Sequence, residues 1–563
     1  MQLYNLFLVL LPVLAAPAGP LSKRVDLAPI VTISKPSATI VGSSALLVDT
    51  FNGIPFAKPP VGSLRLKPPQ AITSSLGTIQ AVGVPAACPQ MMSSTPSGVP
   101  ASVVEIITNL PVVSAANNGQ EDCLTLNINR PTGTTSSSKL PVLVWIYGGG
   151  FEFGSTQSYD GSGIVRDSIT ANQSIIFVAM NYRLGGFGFL AGKEILRDGS
   201  SNLGLLDQRL AIEWVADNIA AFGGDPSKVT LWGESAGAIS VWDQMALYNG
   251  NNVYKGKPLF RAGIMNSGCI VPSNPVDTKK AQDVFDTVVR VAGCSGAADK
   301  LNCLRGVSYA TYYNATNSVP GILSYNSVAL SYLPRPDGKI LTASPDVLAQ
   351  SGRYAKVPFI IGDQEDEGTL FSLSQSNITT TEQLRQYIKT IFFPGASDAA
   401  IDAILKAYPD DPAQGSPFNT GQLNQVYAQY KRIAAILGDI TFTLTRRIYL
   451  NYAVQAHPDV PSWSYLSSYF YGTPVLGTYH ASDLTVVFNN NPPSYPGLAF
   501  RSYYLSFINN LDPNAKTTYP NWPKWKDNKQ LIHMLAASQE LIKDDFRQAA
   551  YDLISPNTKQ YYI

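Results

Sequence analysis

Charge is scarce in this sequence. Asp, Glu, Lys and Arg make up 14% of its 563 residues and nearly cancel, leaving a net charge of +1. A typical share is about a quarter, so the solvent surface must lean on Ser, Thr, Asn and Gly. Without a basic stripe or patch there is no electrostatic footprint for nucleic acid or an anionic membrane. Long apolar runs are missing as well. The run Leu6–Leu14 is too short to span a bilayer and is followed by Ala15, Ala16 and Ala18, the pattern of a secretory signal over residues 1–18, although no Lys or Arg precedes it. Lys23-Arg24 resembles a dibasic processing site ending a pro-segment over residues 19–24. The mature chain then begins near Val25. No permanent membrane anchor is expected, and Gln560-Tyr-Tyr-Ile563 carries no anchor signal.

Cysteine is rare too, at five residues. In the oxidising compartment that a signal implies, an odd count means two bridges and one leftover thiol. Spacing favours Cys294 with Cys303, then Cys88 with Cys123, leaving Cys269 free. Sequons at Asn172, Asn314 and Asn377 fit secretion.

What the chain does have is Lys228-Val-Thr-Leu-Trp-Gly-Glu-Ser-Ala-Gly-Ala-Ile-Ser240, an apolar strand, a Gly-x-Ser-x-Gly turn and a helix start. That pentapeptide alone is common. Between strand and helix it is the setting of a nucleophile elbow, where the turn is so tight that only small residues fit beside the Ser. Upstream, the apolar strand Leu140 to Tyr147 runs into Gly148-Gly-Gly-Phe151. Consecutive glycines there allow backbone amides to converge on one point, as an oxyanion hole needs. Strand-like Ile175 to Met180 is followed by a helical pattern in which Leu206, Leu210 and Trp214 recur beside Ala211, Val215 and Ile219, ending at Gly223-Gly224. Strand and helix in alternation predict an α/β fold, a large, mostly parallel sheet with helices on both faces.

A Ser hydroxyl needs a base to take its proton, and the sequence has only three histidines. His457 sits in polar Gln-Ala-His-Pro-Asp, an expected exposed turn. His533, in Gln530-Leu-Ile-His-Met-Leu535, reads as a helix-borne structural residue. His480 ends an apolar run and enters the polar loop Ala-Ser-Asp483, where such a fold places its base. The acid lies between Ser and His in chain order. Strand-like Val357 to Gly362 precedes Asp363-Gln-Glu-Asp-Glu367, and pattern alone leaves Asp363, Glu365, Asp366 and Glu367 open.

Phe51-Asn-Gly-Ile-Pro-Phe-Ala-Lys-Pro-Pro-Val-Gly62, Glu121-Asp-Cys-Leu-Thr-Leu-Asn-Ile128 and the Ser235 motif together resemble the type-B carboxylesterase and lipase family, from about residue 30 onward. Leu333-Pro-Arg-Pro-Asp-Gly338, Gly362-Asp-Gln-Glu-Asp-Glu-Gly368 and Pro474-Val-Leu-Gly-Thr-Tyr-His480 are similar to the secreted fungal lipases and sterol esterases of the Candida rugosa lipase type. The resemblance implies a single α/β-hydrolase domain over residues 25–563 and a Ser235–His480–Glu367 triad. It also implies oxyanion donors at Gly149, Gly150 and Ala236, with Tyr147 standing where many esterases have His. An acyl tunnel is implied at Val271, Pro272, Val328, Leu330, Leu370, Phe371 and Leu437, and a structural ion pair at Arg65 and Glu121. No cofactor or metal is implied.

Val103, Val104, Ile106, Ile107 and Leu110 fall on one helical face within a stretch almost free of charge. By resemblance this is a lid within residues 88–123, tethered by a Cys88–Cys123 bridge and opening at lipid interfaces. The expected function is hydrolysis of long-chain acyl esters, triacylglycerols or sterol esters, at an interface outside the cell. Exposed apolar surface around an open lid would also allow a homodimer through open mouths. A carboxylesterase for small soluble esters is the alternative. A non-catalytic adhesion protein of the same fold is a remote one, since such proteins typically lose the nucleophile or base.

Overall fold

The computed structural model describes residues 28–91, 100–110, 118–488 and 492–563. The expected signal and pro-segment lie outside these. One sheet of eleven strands organises the chain. In chain order they are β1 Ser43–Ala45, β2 Val48–Pro55, β3 Thr125–Pro131, β4 Leu140–Ile146, β5 Ile176–Met180 and β6 Gly224–Glu234. Then come β7 Ala262–Asn266, β8 Phe359–Gln364, β9 Ser462–Ser467, β10 Gln530–Met534 and β11 Gln539–Lys543. Across the sheet the order is β11-β10-β9-β8-β7-β6-β4-β5-β3-β2-β1. From β10 to β5 every neighbouring pair is parallel, and the pairs outside that block are antiparallel.

Helices cover both faces of the parallel block, so its strands are apolar on both sides rather than alternating. In β4, Pro-Val-Leu-Val-Trp-Ile after Leu140 is buried throughout, as is all of β8. Four helices matter below: α1 Ala101–Asn109, α2 Leu203–Asn218, α3 Ala236–Gly250 and α4 Leu444–Ala456. In α2 Ala211 and Val215 are fully buried, as is Ile219 just beyond it, while Leu206 and Leu210 are half-buried. The chain leaves it through a short 3-10 turn capped by Gly223 at φ 90°.

Disulfides join Cys88 to Cys123 and Cys294 to Cys303, and Cys269 is a buried free thiol that burial pushes up in pKa. Arg65 clasps Glu121 in a two-pronged pair of 2.6 and 2.8 Å beside the first bridge. Its remaining nitrogen donates to the Leu304 and Val307 carbonyls next to the second. Of α1, Val103 and Ile107 are buried, Leu110 just beyond it is buried, and Val104 and Ile106 are half-buried.

Two histidines differ from their sequence expectation. His533 lies in β10, not on a helix; its ring meets Ser468 Oγ at 2.7 Å and Glu540 at 3.1 Å. A short apolar run has no period long enough to separate strand from helix. His457 is half-buried at the C-terminal cap of α4, with Nε2 3.0 Å from the Gly352 carbonyl.

A buried charge cluster ties the second half of the sheet together. Arg446 on α4 pairs with Asp363 at the end of β8 (2.7 Å) and with Asp544 just past β11 (2.6 Å), and Arg447 reaches Asp544 at 2.9 Å. Removing Arg446 would leave Asp363 buried without its ion partner and Asp544 with Arg447 as its one remaining arginine. Arg446→Met is therefore expected to destabilise the fold by about 3–5 kcal/mol, read as a lower urea midpoint. In the parent, burial is outweighed by the two arginines and Asp544 titrates at about 2. A depressed carboxyl lends stability above its unfolded value, near 3.8. That contribution fades as pH falls from there towards 2, and the Met variant, with Arg447 still beside Asp544, should show less of this acid-sensitive part.

Candidate active site

Ser235 sits between β6 and α3 with φ 57° and ψ −127°, a backbone region that side chains other than glycine rarely occupy. The surroundings hold it there. Its N–H donates to the Asn266 carbonyl at the end of β7 (2.8 Å), and its carbonyl accepts from Ile239 N. A Cβ on Gly237 would lie 2.0 Å from the Ile146 carbonyl oxygen, so the turn closes only with glycine there. Ser235 is 7% exposed, at the floor of a cleft.

The β4 strand delivers the three-glycine loop to the same place. Gly149 has φ 101°, and a Cβ there would meet the Phe153 carbonyl oxygen at 2.1 Å. One cavity is lined by Gly149, Gly150, Ser235, Leu370, Phe371 and His480. His480 comes from the loop after β9, and Glu367 from the turn after β8. Glu367 Oε2 is 2.5 Å from His480 Nδ1, and its Oε1 accepts from Gln364 N at 2.7 Å. His480 Nε2 has no hydrogen-bond partner among the described residues. Phe371 and Phe442 pack against the imidazole with ring centroids 5.0 and 4.6 Å away. The pair is thus shielded in an apolar wall.

The other three acids of that turn are engaged elsewhere. Asp363 belongs to the Arg446 cluster. Asp366 accepts from Ser416 Oγ, Phe418 N and Thr478 N, which pins the His480 loop. Burial pushes its pKa up to about 7. Glu365 is half-buried and meets Asn419.

Sequence reasoning passed over Glu234, whose Oε1 is 3.3 Å from His480 Nε2 without hydrogen-bond geometry. Burial, with Asp483 and Glu367 adding repulsion, pushes this carboxyl well above the usual range. That shift favours its neutral form, which carries no further negative charge into the site.

A second, mostly apolar cavity opens from Ser235. Val271, Val328 and Leu330 line it, and Pro272 lines an adjoining one with Val271 and Val328. Leu437 is buried on helix Tyr430–Gly438 and lines neither of these nor the cavity at His480. Not anticipated were Ile239 and Asp243, although the i, i+4, i+8 stripe from Ser235 along α3 would have found both. Thr441 and Phe442 also line it from a π-helical turn, Asp439–Thr443, which no sequence period announces.

The sheet order, the elbow and the residues that converge on it define an α/β-hydrolase. The chain belongs to the carboxylesterase family, whose model (COesterase, Carboxylesterase family) matches residues 28–554. It is 61% identical over 540 residues to secreted lipase 1 of Botryotinia fuckeliana, covering 95% of this chain and 94% of that one. It is 55% identical over 547 residues to a secreted triacylglycerol lipase of Gibberella zeae, covering 96% and 92%. Among solved structures it resembles Aspergillus niger EstA, with a TM-score of 0.77 at 26% identity, covering 95% of this chain and 99% of that one.

Proposed function

We propose that this chain is a secreted serine hydrolase that cleaves long-chain acyl esters of lipids at an interface. The observation that carries the reading is the Glu367–His480 pair at 2.5 Å, whose imidazole lines a cavity together with Ser235 and the glycine loop. Ser235 Oγ attacks the ester carbonyl while His480 Nε2 takes its proton, and the N–H groups of Gly149, Gly150 and Ala236 stabilise the oxyanion. His480 then protonates the departing alcohol, leaving an acyl-Ser235 ester. Water, deprotonated by the same nitrogen, releases the acid. Glu367 fixes the imidazole tautomer and balances its charge when protonated.

Long-chain lipid substrates are supported by the apolar cavity beyond Ser235 and by relatives named as lipases. Secretion is supported by the two disulfides, the N-terminal pattern and relatives named as secreted. The sequon residues Asn172, Asn314 and Asn377 are all exposed, as glycan acceptors must be.

The bridged segment 88–123, carrying α1, is the lid in this reading. Uncovering even 400 Å² of apolar surface in water costs roughly 10 kcal/mol as an upper estimate. The open state would then be populated chiefly against lipid, detergent or the open mouth of a second copy. Initial rates on tributyrin, triolein and a cholesteryl ester, with and without detergent, test the function. Hydrolysis of tributyrin alone, indifferent to detergent, would leave a soluble-ester carboxylesterase. The double variant Ile106→Ser, Ile107→Ser is expected to weaken triolein hydrolysis at least about tenfold more than tributyrin hydrolysis. Equal losses would make the segment fixed packing.

A further inference from the structure

Two buried carboxylates among the described residues have neither oxygen in a hydrogen bond, Glu234 and Asp243. Glu234 sits against His480. Asp243 does not. It is 1% exposed and lines the cavity that opens from Ser235. Other buried acids on this chain have partners: Asp207 is held by Arg183, Glu121 by Arg65, Asp439 by Arg547 and Tyr408. No such partner meets Asp243. It is the one ionisable side chain in a lining otherwise made of apolar groups, glycine, Ser235 and Thr441.

Its place in the fold is set by the helix. Ser235 caps α3, and Ala236, Ile239 and Asp243 follow on one stripe of it. At 1.5 Å per residue, Asp243 lies about 12 Å along the axis from Ser235. An acyl chain bound to Ser235 and running down this cavity passes Asp243 well beyond its carbonyl, partway to its end.

We propose that the Asp243 carboxyl recognises an oxygen function carried partway along the acyl chain, so that the cavity prefers hydroxy, oxo or epoxy acyl groups to plain ones. This rests on the reading of the cavity as the acyl site. Burial, with no cation to oppose it, pushes the Asp243 carboxyl well above the usual range. That shift favours the un-ionised acid, which can donate one hydrogen bond and accept another. A hydroxyl satisfies both roles, and an oxo or epoxide oxygen accepts the proton. Plain methylenes would cover the acid and leave it without a partner, the unfavourable case for any buried polar group. An α-hydroxy acyl group, whose hydroxyl sits beside the carbonyl, gains nothing from a group so far down the cavity.

The test compares ricinoleoyl and oleoyl esters of one alcohol, in identical detergent micelles, with the full chain; a butyryl ester of that alcohol reports the esterase activity itself. The parent should favour ricinoleoyl by about tenfold in kcat/KM. Asp243→Leu should bring the ratio to about one, while Asp243→Asn, which keeps a donor and an acceptor, should retain most of it. Because Asp243→Leu could fail to fold, binding supplies a second measurement. Ricinoleic acid should displace a fluorescent fatty acid from Ser235→Ala protein at about tenfold lower concentration than oleic acid. Butyryl hydrolysis with equal rates on the two long esters, or a preference that survives in Asp243→Leu, or equal displacement, overturns the inference and leaves the esterase reading standing. Failure to hydrolyse any of the three esters overturns both.

Discussion

Replacing Ser235 with Ala is expected to lower kcat by about 10⁴–10⁶-fold, with thermal unfolding and circular dichroism unchanged. The loss is large because, in the proposed mechanism, the hydroxyl is the group to which the acyl carbon bonds, and no neighbour can replace it. What remains is the stabilisation that positioned amides and binding provide without a nucleophile, still above the uncatalysed rate. The folded state should tolerate the change, since Ser235 is held through its backbone, by Asn266 and Ile239, and not through its hydroxyl. Steady-state kinetics on a soluble butyryl ester reads the effect. A fall of less than tenfold would take Ser235 out of the chemistry.

Glu367→Gln should cost about 10³–10⁴-fold in kcat. The reason lies in which atoms surround it. Oε1 accepts from Gln364 N, so a glutamine would turn its carbonyl that way and present its NH₂ to His480 Nδ1. The imidazole proton would then move to Nε2, the nitrogen that receives the serine proton in the proposed mechanism. Glu365→Gln is the contrast. That side chain is half-buried on Asn419, and its variant should stay within about threefold of the parent. Full activity in Glu367→Gln would move the acid elsewhere.

These two residues also mark where the sequence is and is not legible. Ser235 announces itself because the turn it needs is written locally, in small residues between an apolar strand and a helix. His480 emerges from rarity, three histidines of which only one closes an apolar run. The acid does not emerge. Four carboxylates crowd one turn, and what separates them is who else each one meets: Arg446, Asn419, the backbone at Thr478, or the imidazole. Those partners lie 54 to 113 residues away, and no local pattern encodes them. His533 was misread for the converse reason. Its run is short, and the antiparallel pairing with β11 that makes it a strand is a tertiary matter. Parallel strands such as β4 and β8 were plain, because burial on both faces leaves a continuous apolar run.

The ends of the sheet bear on how the protein behaves when crowded. A sheet edge offers unpaired N–H and C=O groups to any other chain, and oil surfaces concentrate protein. Here β1 is only three residues long, and β11 places Glu540 and Lys543 in solvent. An incoming strand would find little length to zip along at one end and fixed charges to desolvate at the other. Molecules crowded side by side are thereby given little edge to pair along.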